Sequence, residues 1–246
     1  MMKKLLLFIF CFQLFSCSNL NQLEVAKTNP NAVKQLNLTA SKLTSFPPEI
    51  ATMTGLTELI LFRNKIDSVP DYIGNLKKLE LLSLQSNRLV YLSSNIGNLP
   101  LLRKLNVRFN RLKSLPSSIS GLSSLEELDL RNNELDSLPE NIGDLQNLEY
   151  LYLSDNHLRK LPESLGTLKK LRLLHIGKNH LDNPLPDFIG NLESLIELDV
   201  SGMGNDNRLP ASLGNLRRLE TLYVSSYQIL PYSLGHGNSR LRVIVK

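Results

Sequence analysis

Apolar residues recur along this chain in long, nearly identical blocks. From Leu125 the sequence reads LEELDLRNNELDSLPENIGDLQN, and the next 23 residues, from Leu148, read LEYLYLSDNHLRKLPESLGTLKK, with apolar residues in the same places. Units begin at Val33, Leu56, Leu79, Leu102, Leu125, Leu148 and Leu171 at a spacing of 23, then at Leu195 and Leu219 after spacings of 24, and Leu241 opens a truncated tenth. Inside a unit, alternation in Leu128-Asp129-Leu130 turns two leucines inward and the residue between them outward, which predicts a short strand with one buried face. The stretch Leu138-Pro139-Glu140-Asn141-Ile142-Gly143-Asp144-Leu145 puts a proline where a helical turn starts and a glycine where it stops. It has room for at most about two turns, with Leu and Ile packed inward on a second side.

The pattern L-x-x-L-x-L-x-x-N-x-L at a period in the twenties resembles the leucine-rich repeat, from Val33 to Lys246. That resemblance implies an α/β fold: a right-handed solenoid of about nine 23–24-residue repeats, a horseshoe with a parallel sheet on its concave face and short helical turns on its convex face. It also implies that the recurring Asn64, Asn87, Asn110, Asn133, Asn156 and Asn179 form a ladder of hydrogen bonds to backbone groups of neighbouring turns.

The ends are less regular. Leu20, Leu23 and Ala26 or Lys27 sit at helical spacing before Asn29-Pro30 and read as a flank covering the first repeat. At the other end Leu241 and Ile244 begin a strand that places Lys246 at its second inward position, where a lysine blunts an open edge. Such an edge would also allow pairing with a second copy. The units from Leu171, Leu195 and Leu219 drift: Asn183-Pro184-Leu185-Pro186 adds a residue, Gly202-Met203-Gly204-Asn205-Asp206-Asn207 replaces the asparagine turn, and Tyr227 takes the last asparagine position. Atypical terminal repeats are the plain reading of that drift, and a glycine-rich contact loop around Gly204 the sharper one.

The opening MMKKLLLFIFCFQLFSCSN has two lysines, an apolar run and a small residue before a cysteine, the grammar of an export signal. The run is well short of the roughly 20 residues a spanning helix needs. Leu14-Phe15-Ser16-Cys17 resembles the lipobox of bacterial lipoproteins, which implies removal of residues 1–16, acylation of Cys17, a flank over 17–32 and a repeat domain over 33–246. Two or three acyl chains would hold such a protein firmly to a membrane. Ser18 after the cysteine, rather than aspartate, favours the outer membrane. The only other cysteine, Cys11, lies in the same leader, so the repeats hold no thiol. Without Lys3 and Lys4 the balance is 26 basic against 23 acidic side chains, or +3, which gives no argument for nucleic acid.

Register makes the outward residues readable in three columns. Between the paired leucines stand Asn37, Ile60, Ser83, Asn106, Asp129, Tyr152, His175, Asp199 and Tyr223. Two residues earlier stand Gln35, Glu58, Leu81, Lys104, Glu127, Tyr150, Leu173, Glu197 and Thr221, and two residues later Thr39, Phe62, Gln85, Arg108, Arg131, Ser154, Gly177, Ser201 and Ser225. Two candidate partner-binding patches emerge, Tyr150, Tyr152, Leu173 and His175, and Ile60, Phe62 and Leu81, with Arg108 and Arg131 among the charges between them. Asp129, Tyr152, His175 and Asp199 share a column, but no nucleophile or oxyanion pocket accompanies them, so no enzyme, cofactor or metal is expected. His157 and His180 stack in adjacent units, too few for a metal site. The chain thus resembles bacterial leucine-rich-repeat lipoproteins, a group taken to mediate protein recognition at the cell envelope. An unidentified protein ligand is the expected partner, with an envelope glycan or peptidoglycan as the alternative, its sugars stacked on the tyrosines.

Overall fold

The computed structural model describes Leu23 and residues 28–203, 208–234 and 239–246. Ten strands form one parallel sheet in sequence order: β1 (Gln35–Asn37), β2 (Glu58–Ile60), β3 (Leu81–Ser83), β4 (Lys104–Asn106), β5 (Glu127–Asp129), β6 (Tyr150–Tyr152), β7 (Leu173–His175), β8 (Glu197–Asp199), β9 (Thr221–Val224) and β10 (Arg242–Val245). Each strand pairs only with its sequence neighbours, as in a solenoid that turns once per unit. The return path carries 3-10 turns of three to five residues, most of them entered through a proline in extended conformation, as at Pro116 before Ser117–Gly121. Leucines of strand and turn meet in one continuous core, in which Leu105, Leu128 and Leu151 on successive strands are fully buried. Leu23 packs against this core from the flank.

The six asparagines link each turn to the one before it. Asn156, for example, donates from Nδ2 to the carbonyls of Leu130 (3.0 Å) and Leu153 (2.9 Å) and accepts at Oδ1 from Leu135 N–H at 3.1 Å. Asn64, Asn87, Asn110, Asn133 and Asn179 make the same three bonds at equivalent positions. The residue just before each is left-handed, from Arg63 (φ 57°) to Lys178 (φ 53°), and this bend swings the asparagine under the sheet. After Asn179 the ladder changes hands: Tyr227, at the asparagine position by spacing, is exposed, and its neighbour Gln228 instead donates to Val200 O (3.1 Å) and accepts from Ser225 N–H (2.8 Å). A longer amide bridges the gap that the altered turn opens.

Two expectations are corrected. Gly143 does not stop its turn: it lies inside Ile142–Asp144, as Gly190 lies inside Asp187–Asn191, where a Cβ would come within 2.4 Å of Ser212 O, so these glycines permit close stacking of successive turns. Lys246 does not point inward either. Val243 pairs with Leu222 and Val245 with Val224, so the register is one residue off the reading from Leu241, and Lys246 follows on the concave side. Three exposed apolar residues, Val243, Ile244 and Val245, make up most of this edge strand. Gly204 to Asn207 and residues 1–22, including Cys17, lie outside the described residues.

Candidate functional site

Register places Tyr150 opposite Leu173 and Tyr152 opposite His175, all four half-buried. The two rings of the middle column meet edge to face, centroids 5.4 Å apart. Of the second set, Ile60 on β2 stands opposite Ser83 and Leu81 on β3 opposite Glu58, so register does not pair them; Phe62 follows β2, with Arg63 over its ring at 5.5 Å. Strands β4 and β5 lie between the patches, bridged by Lys104 to Glu127 at 3.2 Å.

The aromatic row is longer than the four residues singled out. His175 also meets Tyr223, two strands on, at 6.3 Å, and its Nε2 lies 2.7 Å from Glu197 Oε1. Both ends of the row carry a cation: the Arg131 guanidinium lies 4.4 Å from the Tyr152 ring and the Lys246 ammonium 3.7 Å from the Tyr223 ring. The row therefore runs Arg131, Tyr152, His175, Tyr223, Lys246 across β5 to β10. Tyr223 stood in the column as read from the sequence, but only side-chain placement shows that its ring meets His175 past the short Asp199 between them. Lys246 was hidden by the register slip.

Asp129 and Asp199 are not solvated column residues; they are 2% and 6% exposed. Arg131 holds Asp129 through two hydrogen bonds (3.0 and 2.6 Å), and Lys246 reaches Asp199 at 2.6 Å. Each carboxylate also accepts the backbone N–H two residues on, from Arg131 (3.2 Å) and from Ser201 (3.0 Å), as Asn37 does for Thr39 and Asn106 for Arg108. A side chain thus answers an N–H that the next strand does not. The two carboxylates stand on β5 and β8, three strands apart, and serve as footings for the cations.

Burial would raise the Asp199 pKa, but the hydrogen bonds from Lys246 and Ser201 outweigh it and hold the carboxyl below its ordinary value of 3.8. A group whose folded pKa is depressed stabilises the fold above its unfolded pKa and loses that contribution as pH falls through the folded one. Docking of the β10 edge is therefore expected to loosen only under acid conditions below pH 3.8. Lys246→Met should move the Asp199 titration, followed by carboxyl NMR, upward; an unmoved titration would show that Lys246 does not hold it. Burial first, then the field of Glu127, pushes the Tyr152 phenol up, so it remains a neutral donor throughout this range.

His157 and His180 stand 6.5 Å apart, and among the described residues no group of three or more His, Cys, Asp or Glu converges as a metal site would. Among those residues no helix is long and apolar enough to cross a membrane.

Three family descriptions match the chain: Leucine rich repeat over residues 31–89, Leucine Rich repeats (2 copies) over 100–143, and Leucine-rich repeat region over 124–229. Among solved structures it is similar to a leucine-rich-repeat protein of Leptospira interrogans, at 33% identity and a TM-score of 0.74 over 86% of this chain and 60% of that one. An internalin from Listeria monocytogenes, at 24% identity and a TM-score of 0.73 over the same shares, is similar in fold. A chain in the crystal structure of PEPR1–AtPEP1 matches at 29% identity and a TM-score of 0.70, over 86% of this chain and 34% of that one. The chain thus spans about 60% of the length of the first two. No curated protein matches it by sequence.

Proposed function

We propose, from a chain built of leucine-rich repeats, a fold that commonly mediates protein–protein recognition, that this protein binds a protein partner through its concave face. The observation that carries the reading is the row from Arg131 to Lys246: three aromatic rings in edge contact, open to solvent on one side, with a cation fixed at each end by a buried carboxylate. Rings held this way lose little freedom on binding and bury much area, which suits them as anchors, while the charged ends orient what lands on them. A structure pairing PEPR1 with AtPEP1 among the similar ones supports the same reading.

The setting belongs to the same proposal. The lipobox-like Leu14-Phe15-Ser16-Cys17 suggests that acyl chains on Cys17 hold the solenoid at a bacterial envelope, and Ser18 suggests the outer membrane. Palmitate labelling of the expressed chain, lost in Cys17→Ser, would support this; unchanged labelling would end it.

A pull-down from envelope extract tests the binding reading. The chain should capture a protein that a Tyr150→Ala, Tyr152→Ala double variant of equal thermal stability loses. Capture of the same protein by both would put the site elsewhere on the solenoid. Retention of cell-wall glycan without protein would replace a protein ligand with a sugar one, and that binding would be nearly indifferent to salt.

A further inference from the structure

From β1 to β9 the outward columns carry four basic side chains, Lys104, Arg108, Arg131 and His175. Three have a carboxylate within the fold: Glu127 for Lys104, Asp129 for Arg131, Glu197 for His175. Arg108 has none. The contrast with Arg131 on the next strand is a single group. Asp129-Leu130-Arg131 carries a carboxylate where Asn106-Val107-Arg108 carries an amide, and the Asn106 oxygen is already engaged by Arg108 N–H at 3.2 Å. The Arg108 guanidinium instead rests against the Phe109 ring at 5.6 Å, and its Nε is buried with no acceptor. An N–H of a charged group taken out of water and left unpaired is unfavourable, and the planar guanidinium that carries it matches a carboxylate in two bonds.

The position of this residue gives it a use. It follows β4, two strands from Ile60 and Phe62 on one side and two from Tyr152 on the other, roughly 10 Å each way at the spacing of paired strands. An extended polypeptide covers that distance in about three residues.

We infer that Arg108 is the specificity anchor of the concave face, receiving a carboxylate from a partner segment that carries apolar side chains about three residues to either side of it. This rests on the reading that the concave face binds a protein, and it adds the chemistry of the ligand. The apolar patches then hold the flanks, and Arg108 discriminates acid from amide at the centre.

The probes are two capped peptides, Leu-Gly-Ser-Asp-Ser-Gly-Tyr and the same sequence with Asn in place of Asp, titrated against the full chain at low salt. The Asp peptide should bind about tenfold more tightly, as a charge-assisted bidentate pair is stronger than a neutral one. Arg108→Gln should abolish that ratio, whereas Tyr152→Ala should weaken both peptides alike and keep it. Equal binding of the two peptides, or a ratio that survives Arg108→Gln, overturns the assignment of Arg108. If the pair binds equally but still depends on Tyr152, concave-face binding stands without Arg108; if Tyr152→Ala changes nothing, the concave-face reading falls with it. Because Arg108→Gln should still bind the Asn peptide as the parent does, an unfolded variant, which would bind neither, cannot imitate the expected result.

Discussion

Asn156→Ala is expected to destabilise the solenoid by about 3 kcal/mol or more, in urea unfolding followed by circular dichroism, because it strands three backbone groups at once. The side chain is 2% exposed, and its loss leaves Leu135 N–H and the carbonyls of Leu130 and Leu153 without their partner. Each buried group left unpaired costs about 1–3 kcal/mol, less where water can enter. That proviso supplies the control. Asn87 makes the same three bonds to Ile66, Leu61 and Leu84 but is only half-buried, so Asn87→Ala should cost about half as much as Asn156→Ala, water taking over part of the role. Equal losses at the two sites would mean that the amide acts through packing and not through the groups it satisfies.

The ladder shows what kind of feature a sequence exposes. Its asparagines recur at a fixed place in a fixed period, so six copies of one signal add together, and the strand and core leucines are legible for the same reason. Features that depend on how units lean against one another are not. Asp129 and Asp199 read as outward column residues; Arg131 folds back on Asp129 from two residues along the same unit, whereas Lys246, 47 residues from its carboxylate, reaches Asp199 from another unit. Gln228 carries no signal as a ladder residue because it stands one place off the period, and only the altered turn explains why the longer side chain is needed. A second set of cross-turn bonds on the convex side, from Asn95 to Asp71 O, Ser118 to Ser94 O and Asn141 to Ser117 O, went unread for a related reason: Asn and Ser alternate there, and no single residue type marks the place. The candidate site was half legible. Column order put Tyr150, Tyr152, Leu173 and His175 together, but Tyr223 joins through a ring contact past Asp199 and Glu197 through a hydrogen bond, both revealed only by side-chain placement.

Truncating the core should be felt beyond the unit that is cut. Leu128 is fully buried between Leu105 and Leu151 on the flanking strands, and Leu128→Ala is expected to cost about 2–5 kcal/mol, the removed surface plus the cavity left behind. In a compact domain neighbours from several directions relax into such a hole; here the neighbours along the sheet are the preceding and following units, so both interfaces weaken together. Two readings follow from that geometry. Amide exchange should accelerate in β4, β5 and β6 while β1 and β9 stay closer to the parent, because stability passes between adjacent turns. The urea transition should also broaden, its slope falling, if the weakened interface lets the two halves of the solenoid open separately. Val243→Ala on the exposed edge strand removes a side chain already 39% exposed and meets a neighbour on one side only, so it should change the midpoint by far less and leave exchange at β5 untouched. A loss at Leu128 spread evenly over all ten strands would contradict nearest-neighbour stabilisation and require the solenoid to unfold as one cooperative unit.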